Sequence, residues 1–102
     1  MKVKTLNKAI EIVEEQGYDV PTKRTLSYWI KRGVLSSYEY KEHLGQQGLN
    51  VLYPDEIVAE IIAVIELKES LTLDEIARAR AGEGIAIDAY NEKIEEIKQA
   101  IK

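Results

Sequence analysis

Cysteine is absent from this chain of 102 residues. Its absence excludes disulfides, thiolate metal sites and thiol redox sensing, and it suits a reducing cytoplasm. Histidine occurs once, as His43, so neither a histidine dyad nor a two-histidine metal site can be assembled. Proline occurs twice and glycine six times, too sparsely for a disordered or low-complexity chain. The longest apolar run, 61–65, falls far short of the ~20 residues that a membrane-spanning helix needs. The opening Met1-Lys2-Val3-Lys4 lacks the apolar stretch of a signal peptide. The expected location is therefore cytoplasmic, with no membrane partner. Glycine-rich phosphate loops and serine-nucleophile motifs are also missing, and neither a cofactor nor a metal is expected.

What is present is the composition of one ordered domain, 45% hydrophobic and 31% charged, which is enough to bury a core without a metal or disulfide staple. The net charge is −4, yet it is unevenly spread. Between 21 and 43 the basic residues Lys23, Arg24, Lys31, Arg32 and Lys41 outnumber the acidic Glu39 and Glu42, so the rest of the chain carries the excess acid. A basic segment on an acidic body is what a phosphate-facing surface with a solvated back would look like; unspecific charge asymmetry is the competing explanation.

Apolar positions Leu6, Ala9, Ile10 and Val13 recur at helical spacing and predict a first helix over 6–15. Gly17 is placed to cap its end, and Pro21 forbids its continuation. A second helix over 22–32 opens on Thr22 and carries Leu26, Trp29 and Ile30 on one side before Gly33 stops it. Two helices across so short a turn outline a helix-turn-helix. Two strand-like runs come next, 36–41 and 49–53, around a polar tip at 42–48. Pro54-Asp55-Glu56 starts a strongly apolar third helix that runs on through Ile57, Val58, Ile61, Ile62, Val64, Ile65 and Leu67, expected to form the core, with its acidic residues at the positive helix end. Thr72-Leu73-Asp74-Glu75 has the spacing of a capping box and starts a fourth helix, which Gly82 and Gly84 break. Finally Ile87, Tyr90, Ile94, Ile97 and Ile101 form a two-heptad apolar seam. Two alternatives stay open for it: it dimerises two chains, or it folds back on its own domain.

The stretch Arg24-Thr25-Leu26-Ser27-Tyr28-Trp29-Ile30-Lys31-Arg32-Gly33-Val34-Leu35 resembles the recognition helix of the MerR family of bacterial transcription regulators, where a TLRYY-type segment leads to a GLL-type turn. Gly48-Leu49-Asn50-Val51-Leu52-Tyr53 is similar to the family's GYRxY wing element. Leu71-Thr72-Leu73-Asp74-Glu75-Ile76 looks like its SLxEI start of the fourth helix. These pieces occur in the family's order over about 6–79. The resemblance implies a mainly α fold, a winged helix-turn-helix with a small β-hairpin wing and an additional C-terminal helix. It divides the chain into a DNA-binding domain over 1–81 and a C-terminal helix over 85–102, a short form without an effector domain. Three departures stand out. Ser27 occupies the place of a phosphate-contacting arginine, Asn50 or Val51 that of a wing arginine, and Trp29 that of a tyrosine.

With that resemblance, Lys23, Arg24, Ser27, Tyr28 and Lys31 are expected to face the major groove and its phosphates. Lys41, His43, Gln46, Gln47 and Asn50 are expected to touch backbone or minor groove from the wing. The alternatives are a solvated amphipathic helix and a solvated loop. Trp29, amid Leu26, Ile30 and Leu35, reads as a core aromatic. Glu11, Glu14, Glu15, Glu92, Glu95 and Glu96 lie beside lysines on helical faces, the pattern of a solvated surface and not of paired acid-base catalysis. The expectation is a non-enzymatic, sequence-specific regulator of transcription whose partner is double-stranded DNA. A homodimer built on the seam would set half-site spacing, and the resemblance also admits RNA polymerase as a partner. The competing readings are a winged-helix adaptor that binds protein and a phage or nucleoid protein that bends DNA.

Overall fold

In a computed structural model the chain is mainly helical, and residues 3–38, 40–43 and 49–101 are described. Strand β1 (Val3–Lys4) leads into helix α1 (Leu6–Glu15) and helix α2 (Lys23–Lys31); strands β2 (Tyr40–His43) and β3 (Leu49–Pro54) come next, then helices α3 (Ile57–Leu67), α4 (Leu73–Arg80) and α5 (Ile87–Ala100). The strands form one antiparallel sheet in the order β1-β3-β2. Among the described residues no helix is long and apolar enough to cross a membrane.

Each helix start has a local cause. Thr5, Thr22 and Thr72 take extended backbone angles, and each side-chain oxygen accepts an N–H three residues on, satisfying a donor that the first helical turn leaves free. At Thr72 the box is reciprocal, because Glu75 accepts the Thr72 N–H at 2.8 Å. Helix α1 stops at Gly17, whose φ of +92° reverses the chain. There the Tyr18 N–H returns to the Val13 carbonyl, closing a turn that only glycine enters without strain.

Helix α3 is the centre of the molecule. Ile57, Val58, Ile61, Ile62 and Val64 are all buried, and the helix packs against α1, α4 and α5. A helix with so few polar positions can exist in water only when neighbours enclose it. Each such side chain contributes roughly 1.5–3 kcal/mol through its removal from water.

Two expectations need correction, and one strand is new. The strand expected over 36–41 begins only at Tyr40, because the N–H and hydroxyl of Ser36 are bonded to the Glu60 carboxylate and not to a ladder. Pro54 ends β3 and does not open α3, whose first residue is Ile57; Asp55 is instead paired with Lys4 at 2.6 Å. The two-residue strand β1 was not foreseen, since two residues show no period; it is registered on β3 by Val3 with Pro54 and Lys4 with Tyr53.

The 87–101 seam folds back. Tyr90 and Ile97 are buried in the core that also holds Leu6 and Leu26, while Ile94 and Ile101 pack against it half-buried. Lys93 reaches Glu66 at 3.3 Å and Lys98 reaches Glu56 at 3.0 Å, so two ion pairs tie α5 to α3 and its N-terminal turn. Described residues on both sides of the 82–84 break thus contribute to one core.

Candidate nucleic-acid interface

Helix α2 divides cleanly into two faces. Leu26 and Trp29 are buried, Trp29 with 3% of its surface left, and Ile30 packs against the same core. Thr25 is half-buried, Lys23, Arg24, Ser27, Tyr28 and Lys31 are exposed, and the helix carries no acidic residue. The five residues expected to meet DNA from this helix are therefore brought onto one solvent face, and Trp29 is a core residue. Among the described residues Lys23, Arg24 and Lys31 make no ion pair. Close cationic groups without carboxylate partners leave a net positive surface, where a polyanion gains most.

The N-terminal end of this face adjoins the sheet: Lys23 shares a shallow depression with Asn7, Val51 and Tyr53. Strand β3 pairs with β2 through Tyr40 with Leu52, Lys41 with Val51, Glu42 with Asn50 and His43 with Leu49. The backbones of Lys41, His43 and Asn50 thus lie in the paired strands, with Asn50 registered on Glu42 and not on either of the other two. Gln46 and Gln47 lie outside the described residues.

At the C-terminal end stands Arg32, which the sequence pattern did not place in the site. Its Nη1 donates to the Tyr28 hydroxyl at 2.7 Å and its Nη2 to Asp74 on α4 at 2.5 Å. The guanidinium also lies 5.6 Å from the centre of the Tyr28 ring. The hydrogen bonds to Tyr28 and then to Asp74 raise the Arg32 pKa above its ordinary value, so the group stays cationic. Tyr28 keeps 49% of its surface. The four-residue spacing of Tyr28 and Arg32 would have signalled their pairing; nothing in the sequence signals Asp74.

The segment after α2 is fastened from beneath. Val34 and Leu35 are buried. Arg80 donates to the Gly33 carbonyl at 2.7 Å and to the Ser36 hydroxyl at 3.0 Å, and reaches Glu60 at 3.3 Å. Glu60 is 5% exposed, the one buried charged residue of the described chain. The turn between α1 and α2 is tied similarly, since the Tyr18 hydroxyl donates to Glu66 at 2.8 Å, and that bond, with burial, raises the Tyr18 pKa. These contacts fix the angle at which α2 is presented. The expected surface carboxylates Glu11, Glu14, Glu15, Glu92, Glu95 and Glu96 are all exposed.

No protein-family model, no curated protein and no solved structure matches the chain.

Proposed function

We propose that this protein is a sequence-specific, duplex-DNA-binding regulator of transcription with a MerR-like winged helix-turn-helix, α2 entering the major groove and the β2–β3 pair serving as its wing. The observation that carries the reading is the solvent face of α2: Lys23, Arg24 and Lys31 stand exposed, without ion pairs among the described residues, on a helix free of carboxylates in an otherwise acidic chain. Long cationic side chains with Ser27 and Tyr28 between them supply phosphate contacts and hydrogen bonds to base edges. The rigid attachment of α2 favours the same reading, because groove insertion requires a helix held at one angle.

One observation favours an adaptor that binds protein. Ser27 leaves the middle of the face without the cation that the family resemblance would place there. The reading concerns one chain on one half-site, with the 87–101 seam packed against its own core.

Fluorescence anisotropy with a mixed-sequence duplex tests the reading. Binding should weaken steeply as salt rises, because each phosphate contact releases condensed counterions. The double reversal Lys23→Glu with Lys31→Glu should abolish it. Absence of binding even at low salt would overturn the DNA reading and favour the adaptor.

A further inference from the structure

We propose that Tyr28 and Arg32 form a single clamp for one backbone phosphate of duplex DNA, with Asp74 as the positioning residue that holds the guanidinium beside the tyrosine. The inference rests on the DNA-binding reading above and adds to it a site whose parts come from two helices 42 residues apart in sequence.

Unspent hydrogen-bond donors point to the clamp. A guanidinium has five N–H groups in a fixed planar fork. Arg32 spends one on the Tyr28 oxygen and one on Asp74, leaving three among the described residues. The Tyr28 hydroxyl accepts from Arg32, so its own proton is free to donate elsewhere. A donor polarised by a neighbouring cation also gives a stronger hydrogen bond. Tyrosine O–H and guanidinium N–H groups thus stand side by side on an exposed face, both lacking an acceptor that a phosphate oxygen would supply.

Position selects phosphate over a base edge. In helix-turn-helix docking the N-terminal residues of the recognition helix reach the bases, and here those are Lys23, Arg24 and Ser27. Arg32 caps the opposite end, where the chain leaves the groove and meets backbone. Arg24, Tyr28 and Arg32 form one row at four-residue spacing, about 12 Å from first to last. The surroundings of Arg32 are otherwise unfavourable to an anion, because the helix C-terminus and Asp74 are both negative. An anion held there depends on the directed N–H groups, which makes the site sensitive to their geometry and not only to charge.

The test uses the same duplex titrated over a range of salt, with thermal melts to establish that each variant is folded. Arg32→Ala should weaken binding about tenfold and flatten the log–log salt slope by about 0.9, the loss of one phosphate contact. Tyr28→Phe should weaken binding about threefold with the slope unchanged, since no charge is lost. The double variant should bind about as Arg32→Ala does, because the tyrosine acts through the shared clamp. Arg32→Lys should restore the slope but not the affinity. Asp74→Ala should weaken binding about threefold with the slope intact, whereas bare electrostatics demands the opposite sign.

Arg32→Ala with unchanged affinity and slope, while the Lys23 and Lys31 reversal still abolishes binding, would overturn the clamp and leave the DNA reading standing. Strictly additive effects of Tyr28→Phe and Arg32→Ala would overturn the joint site. Tighter binding by Asp74→Ala would overturn its positioning role. A wild-type chain that binds no duplex at any salt would overturn the DNA reading itself, and the clamp with it.

Discussion

Glu60, on the largely apolar helix α3, holds both the backbone N–H and the hydroxyl of Ser36 with its two carboxylate oxygens, at 2.9 and 2.7 Å. Arg80 closes the cluster from α4, bonding the same serine, Glu60 and the Gly33 carbonyl. A buried ion pair gains little over an apolar core of the same shape, because desolvation of both charges offsets their attraction. Its effect here is directional. It fastens the segment between α2 and β2, and so the two elements of the candidate interface, to the core helices.

Removal of one partner should therefore be far costlier than replacement of both. Glu60→Ala leaves Arg80 without its carboxylate partner and the Ser36 N–H without its acceptor, and should cost about 3–5 kcal/mol. Glu60→Leu combined with Arg80→Leu should cost markedly less. Urea midpoints at constant slope would check both values; equal losses would show that the cluster is not coupled.

Alkaline pH should destabilise the protein through Tyr90. Burial, chiefly, pushes its pKa up to about 12 from the usual 10. The folded state therefore keeps a proton that the unfolded chain releases, and stability is full below about pH 10 and falls as pH rises toward 12. Tyr90→Phe removes the titrating group, so its stability should fall less steeply over that window. Parallel curves for the two proteins, measured by urea midpoints against pH, would contradict this.

The helices were legible in the sequence because their apolar spacing is helical and their caps are local: Thr22 and Thr72 cap where expected, and α1 spans 6–15 as its pattern predicts. The exposed face of α2 was legible for the same reason, since Leu26 and Trp29 orient the whole helix and leave Lys23, Arg24, Ser27, Tyr28 and Lys31 outward. Long-range pairing was not. Ser36-Ser37-Tyr38 looks like a strand until Glu60, 24 residues on, captures Ser36. As one glutamate among several, Glu60 carries no local sign of burial. Asp74 is likewise a first-turn acid of α4 that any helix would favour, and only folding sets it against Arg32. The 87–101 seam showed that an apolar stripe needs a partner, but periodicity does not say whose surface that partner is.

Substitution of Gly33 should be costly for a backbone reason. Its φ is +80°, and a Cβ added there would meet no atom within 4 Å. Gly33→Ala should consequently cost about 1–2 kcal/mol, the penalty of left-handed backbone for an ordinary residue. Gly33→Asn should cost less, because asparagine tolerates that conformation better. Thermal melts of the two variants would rank them, and an alanine variant as stable as the wild type would refute the backbone argument.

Ile97→Ala should destabilise the single chain and do so independently of its concentration. Ile97 is 4% exposed within its own core, so its truncation removes apolar burial and leaves a cavity that costs about 2 kcal/mol or more. For a chain of this size that lowers Tm by roughly 10 °C. If the seam instead joined two chains, mass action would make Tm rise with protein concentration, and the variant would chiefly weaken that dependence. Melts at low and high concentration separate the cases. A wild-type Tm that does not move, with a uniform drop for Ile97→Ala, is the outcome for a seam already satisfied by α3 and α4. A strong concentration dependence lost in the variant would show that α5 exchanges its partner helix for a second copy.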